Sequence, residues 1–207
     1  MATRSSSSRS EAALGFRAHS GWAALVAVAG PVAEPIAVLR RRVVLSEKTP
    51  RQPFHAAEGQ PFAAAENLIR RSTEEAARLA EGALREAVAE LRAMGHEPVK
   101  SGLLLAAGRP LPSLSAILAS HALIHTAEGE LFRDVLRQAS RRCGLGLTEV
   151  GDRELEERAA RSLRRPPAVL RRRVAEWGKA LGSPWTQDEK RAALVAWLAL
   201  AAGEGGD

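Results

Sequence analysis

Apolar residues recur along this chain in two rhythms, and the switch between them sets out its elements. Leu14 to Ala29 starts apolar and breaks at the polar stretch Arg17-Ala18-His19-Ser20-Gly21. It resumes as an apolar run from Trp22 to Ala29, which Gly30-Pro31 ends. Pro35 to Leu45 alternates only in part, interrupted by Arg40-Arg41-Arg42, with Val38 and Arg40 on one strand face and Leu39 and Arg41 on the other. Together these stretches predict an antiparallel hairpin that opens a sheet. Glu47 to Pro61 holds three prolines and no period, so it predicts a loop.

From Phe62 to Met94 the period becomes helical. Leu68, Ala76, Leu79, Ala83, Leu84, Val88 and Leu91 mark one face, and Glu74 with Arg78 and Glu81 with Arg85 give i,i+4 pairs. Gly95 stops this helix. Pro98 to Ala107 predicts a short strand, and Ser113 to Ser120 leads into a helix over Ser120 to Cys143. Leu131, Val135, Leu136 and Ala139 form the apolar face of that helix, and Gly144 ends it. A strand over Leu145 to Val150, a charged helix over Asp152 to Leu163 and a break at Pro166-Pro167 follow. Leu170 to Leu181 is helical again. The last helix, Thr186 to Ala202, opens with Thr186 and Glu189 at capping-box spacing. Strands alternating with helices predict an α/β domain with a partly parallel sheet. We expect one domain over residues 12–202, with structureless ends at 1–11 and 203–207.

Composition narrows the chemistry. Hydrophobic content of 45% suffices for a core. With 4% aromatics and no Tyr, Ala, Leu and Val must fill it. The net charge of +6 favours a polyanionic partner. A single cysteine, Cys143, excludes an internal disulfide and any Cys-based zinc site. The arginines beside Cys143 would lower its thiol pKa. The opening MATRSSSSRSE lacks the apolar stretch of a signal peptide, and Ala192 to Ala202 is too short to span a bilayer. The expectation is a cytoplasmic protein with no membrane partner.

Candidate sites come in three groups. His121, His125 and Glu128 sit at spacings of four and three, which places them on one face of the predicted helix. Two imidazoles and a carboxylate suit a divalent first-row metal or acid–base catalysis. The Glu that a zincin helix would carry after its first His is Ala122. Glu130 is an alternative inward carboxylate, and Gly129 between the two points to a close backbone approach. Arg17, His19 and Ser20, in the polar break, form a second group suited to phosphate or carboxylate. His55 and Glu58, in the Pro-rich loop, could reach the same cleft as a lid. Third, Arg164, Arg165, Arg171, Arg172 and Arg173 form a basic run able to follow a nucleic-acid backbone, although only Trp177 offers an aromatic nearby.

Three stretches also carry a family likeness: LGFRAHSGWAALVAVAG, SGLLLAAG with the Ser113 to Cys143 region after it, and CGLGLTEV followed by TQDEKRAALVAWLAL. Their order resembles the ribonuclease H-like superfamily, most closely the RuvC-type Holliday-junction resolvases, over about Leu14 to Leu200. The resemblance implies a mixed sheet, an N-terminal antiparallel hairpin followed by parallel strands, flanked by helices. It also implies two divalent metals held by carboxylates about 4 Å apart, the first ligand being an Asp on the first strand. Arg17 stands at that position here, and Leu104 or Leu105 replaces the glutamate ending the fourth strand. Asp188 or Glu189 remains near the family's C-terminal carboxylate. The expectation is therefore a member that has lost most metal carboxylates. It would bind nucleic acid or a phosphorylated ligand in a cleft shared by Arg17, His19, His121, His125 and Glu128. The alternatives are an enzyme with a His/Glu metal or acid–base centre, such as a phosphodiester hydrolase, and a non-catalytic interaction domain.

Overall fold

The computed structural model describes residues 9–106 and 110–202. Strands β1 (Ser10–His19), β2 (Trp22–Ala29) and β3 (Ile36–Val44) form an antiparallel meander, and β4 (His96–Leu105) and β5 (Gly146–Gly151) run parallel to β1. The order across the sheet is β3-β2-β1-β4-β5. This is the mixed α/β sheet the sequence predicts. Among the described residues no helix is long and apolar enough to cross a membrane.

Both faces of the sheet are covered, which is why β2 reads as an almost unbroken apolar run. Leu14, Phe16, Leu25 and Leu103 point to one face, under α2 (Phe62–Ala93) and α4 (His121–Arg142). Ala13, Val26, Val28, Leu104 and Val150 point to the other, under α5 (Leu155–Ser162), α6 (Pro167–Leu181) and α7 (Gln187–Ala201).

Two glycines set how closely α7 lies. Gly15 of β1 and Gly102 of β4 are register partners. A Cβ on Gly15 would sit 1.9 Å from the Ala192 carbonyl oxygen, and one on Gly102 would sit 2.5 Å from that of Val195. The backbone of α7 therefore rests on the sheet where side chains are missing. The Thr186–Glu189 capping box closes the N-terminus of α7, which fixes its first turn over the end of β1.

Several expectations are corrected. The polar stretch Arg17 to Gly21 does not break the strand. β1 continues to His19, which pairs with Trp22 across the tight turn Ser20-Gly21, and Gly21 has φ +77°. β1 begins at Ser10, inside the end predicted to lack structure. Residues 1–8, 203–207 and Ala107, the predicted end of the fourth strand, lie outside the described residues. The predicted loop contains a short helix, α1 (Pro53–Ala57), because Pro53 takes the first helical position, where no N–H is needed. β4 starts earlier than its apolar run and takes in Pro98 at a register shift against β1. Another short helix, α3 (Leu114–Leu118), precedes α4, with Ser113 as its N-cap.

Candidate functional site

The carboxyl ends of β1, β4 and β5 open into a cleft of about 740 Å³ whose lining includes Arg17, His19, Leu105, Arg133, Asp152 and Arg153. Ligands of open α/β sheets bind at such strand ends. Odd-numbered residues of β1 face α7, so Arg17 and His19 reach across to its first turn. Arg17 Nη1 lies 3.2 Å from Asp188 Oδ1, and His19 Nε2 lies 3.0 Å from the same oxygen. Arg17 Nη2 is 3.9 Å from Asp152 Oδ2, just past the end of β5. Arg191, one turn along α7, donates to Asp152 Oδ1 at 2.5 Å and also to its backbone carbonyl. Two guanidinium groups and two carboxylates thus form one half-buried network. His19 stacks on Trp22, with ring centroids 4.4 Å apart, and the Arg42 guanidinium lies 3.5 Å from the Trp22 ring centre.

Helix α4 contributes Arg133 to the cleft rather than its histidines. Glu130 accepts from Arg133 Nε at 3.0 Å and from Arg137 at 3.2 Å. A neighbouring hollow shares Leu105 and Arg133 with the cleft and also touches Glu130. A Cβ on Gly129 would lie 3.0 Å from the Arg133 guanidinium, so the close approach expected there comes from that side chain. Burial disfavours the charge of Arg137, but its hydrogen bonds to Glu149, Asp134 and Glu130 outweigh this and hold its pKa above the ordinary value. Arg153 has no ion-pair partner among the described residues.

These donors do not fit the pair of divalent metals that the family resemblance implies. Leu104 and Leu105 offer no oxygen, and Arg17 brings a cation to the strand where a carboxylate is needed. Asp152 and Asp188 are already neutralised by Arg17 and Arg191. Two dications added to this network would have to displace both guanidinium groups from its two carboxylates.

The histidines gather elsewhere. His121 and His125 open α4 and meet His55 of α1, with ring centroids 4.6 to 5.5 Å apart. His55 Nδ1 lies 2.9 Å from Glu128 Oε2, and the same oxygen accepts from the backbone N–H groups of Phe54 and His55. Glu128 is 2% exposed. Desolvation pushes its carboxyl up, and the hydrogen bonds from His55 only partly offset that. Glu128 is the inward carboxylate, and Glu130 lies on a different face.

No hydrogen bond or ion pair joins the Arg17–His19 group to His121, His125 or Glu128 among the described residues. The reason is strand alternation. Phe16 faces α4, so Arg17 and His19 must face α7. His55 belongs with the α4 histidines, and Glu58 lies 3.7 Å from His121 Nδ1 rather than over the cleft. Ser20 occupies the hairpin turn. Asp152, Arg133, Arg153 and Arg191 were missed from sequence. The available signal for Asp152 was its place directly after a predicted strand, and for Arg191 its place one turn after Asp188.

The basic run is split. Arg164 and Arg165 lie between α5 and α6, and Arg165 donates to the Ala33 carbonyl. Arg171 pairs with Glu156, and Arg173 lies 3.7 Å from Glu176. Arg172 is exposed. Arg171 also lines a groove with Lys190 and Arg191, so Arg191 belongs both to this groove and to the cleft network. Trp177 is buried and offers no stacking surface. Cys143 departs from expectation: burial pushes its thiol pKa up, more than the nearby Arg85 pulls it down.

No protein-family model matches the sequence, and no curated relative matches it either. The fold does have counterparts. Thermus thermophilus RuvC in complex with a Holliday junction substrate superposes with a TM-score of 0.54 at 11% identity, covering 91% of each chain. A second structure of Thermus thermophilus RuvC gives 0.53 at 11% identity, over 90% of this chain and 92% of that one. The chain therefore has the ribonuclease H-like fold of RuvC.

Proposed function

We propose that this chain binds nucleic acid by its phosphate backbone, in the cleft at the ends of β1, β4 and β5, and does not hydrolyse it by two-metal catalysis. The observation that carries this is the network of Arg17 and Arg191 with Asp152 and Asp188. The network is charge-balanced, and the guanidinium N–H groups that Asp152 and Asp188 leave free are fixed donors for a phosphate without a bound ion. Planar N–H forks suit phosphate oxygens. Arg133 and Arg153 add two more on the cleft wall. The groove of Arg171, Lys190 and Arg191 continues the basic surface towards α6.

The shared fold supports this reading, since one of its counterparts was solved on a Holliday junction substrate. The net charge of +6 supports it as well. Such contacts position a protein on a backbone and carry no base sequence by themselves. The expected preference is for nucleic-acid shape.

The experiment is fluorescence anisotropy with a four-way junction, a duplex and a single strand across a salt series. Binding should weaken steeply with salt. Arg133→Ala with Arg153→Ala should weaken it on every sequence and flatten the log–log salt slope by about 1 per lost phosphate contact. Unchanged binding by the double variant would remove the cleft from the account.

A further inference from the structure

We infer that His55, His121 and His125 form a zinc-class metal site, separate from the cleft, that ties α1 to the start of α4. One ligand nitrogen from each of the three residues lies within 4.8 Å of the other two. The Nε2 atoms of His121 and His125 are 3.1 Å apart, because a spacing of four puts both rings on one side of α4. A tetrahedral ion with Zn–N bonds of about 2.0–2.1 Å places its ligand nitrogens about 3.3 Å apart. One edge of that tetrahedron is already present. Rotation of the exposed His121 and His125 rings closes the remaining distance.

One ring is also set in the tautomer a metal needs. His55 presents Nδ1 to the buried Glu128 carboxylate at 2.9 Å, so its proton is held there and Nε2 keeps a free lone pair. The Nδ1 of His121 faces Glu58 at 3.7 Å, beyond hydrogen-bond reach. Carboxylates behind ligating imidazoles orient them and raise their basicity. The His55 lone pair then lies beside the His121 and His125 rings, an arrangement that a soft-to-borderline cation satisfies. Glu128 Oε1 is buried without a hydrogen-bond partner, so this side chain takes all its hydrogen bonds through Oε2, on the side of His55. The cluster faces solvent, with the His121 side chain 65% exposed. That leaves the fourth position to water or to Glu58. Three neutral imidazoles favour Zn²⁺ over Mg²⁺ or Ca²⁺, which take oxygen ligands.

The experiment is calorimetric titration of the chelator-treated full chain with Zn²⁺, followed by Co²⁺ loading and its visible absorption spectrum. One ion per chain and an intense tetrahedral Co²⁺ spectrum are expected. His121→Ala and His125→Ala change exposed residues, so both variants should fold and lose the site. Glu128→Gln should weaken Zn²⁺ binding about 10- to 100-fold. His19→Ala and His96→Ala should leave it unchanged, which separates this site from general histidine affinity. Absence of stoichiometric Zn²⁺ binding by the wild type would overturn the proposal. So would equal binding by a folded His121→Ala, His125→Ala double variant. Neither result bears on nucleic-acid binding in the cleft.

Discussion

Arg17 Nη1 lies 3.2 Å from Asp188 Oδ1, so a residue of the first strand and one of the last helix form an ion pair where the family resemblance implies metal ligands. The pair is about one quarter exposed on each side, with side-chain exposures of 27% and 24%. At that exposure it stabilises the fold by no more than about 1 kcal/mol. Its larger effect is on the charge the cleft offers a ligand. Asp188→Asn removes the negative charge that Arg17 and His19 share. Stability should fall by about 0.5–1 kcal/mol in urea unfolding, while polyanion binding by anisotropy becomes tighter.

The glycine pair under α7 should tolerate no side chain. Gly15→Ala or Gly102→Ala puts a methyl into the α7 backbone at Ala192 or Val195. Overpacking of this kind costs about 1–3 kcal/mol or more, and here it also lifts Asp188 and Arg191 away from Arg17. Gly82 in α2 has open space around its missing Cβ, so Gly82→Ala should stabilise by about 0.5–1 kcal/mol. Chemical denaturation of the three variants checks both signs.

Glu75 gives a pH-dependent contribution. Desolvation is the largest single influence and pushes its carboxyl up, but hydrogen bonds from the Thr49 hydroxyl and the Lys48 and Thr49 backbone N–H groups together outweigh it and hold the pKa below the ordinary 4.5. A lowered carboxyl pKa stabilises the fold above the unfolded value, and that stability is lost as pH falls through the folded value. Glu75→Gln should therefore be less stable than wild type near pH 7, by about 0.5–1 kcal/mol after allowance for exposure. The gap should begin to close near pH 4.5 and disappear at lower pH. A constant gap across the acid range would contradict the hydrogen-bond pattern.

Much of the fold was legible in local pattern. The period change at Phe62, the Gly95 and Gly144 stops and the Thr186 capping box mark α2, α4 and α7 closely, since each depends on residues within a few positions. Helix α1 was not legible, because five residues after a proline are too few to show a period. The candidate site was legible only in pieces. Arg17 and His19 stood out as polar residues in an apolar strand, and His121, His125 and Glu128 as one helix face. Their partition into two sites depends on which way β1 presents its odd-numbered residues and on the close seating of α7. Gly15 and Gly102 determine that seating only once they are paired across strands. The Arg191–Asp152 contact joins residues whose neighbourhood no local pattern encodes.

The most direct measurement is a single experiment on a labelled four-way DNA junction with purified protein, following binding and strand scission together, with Mg²⁺ or Mn²⁺ and without. The account expects salt-sensitive binding that needs no divalent ion, and intact strands in every lane. Metal-dependent cleavage that Asp188→Asn abolishes would contradict it, because the arginine network would then be holding a working metal centre.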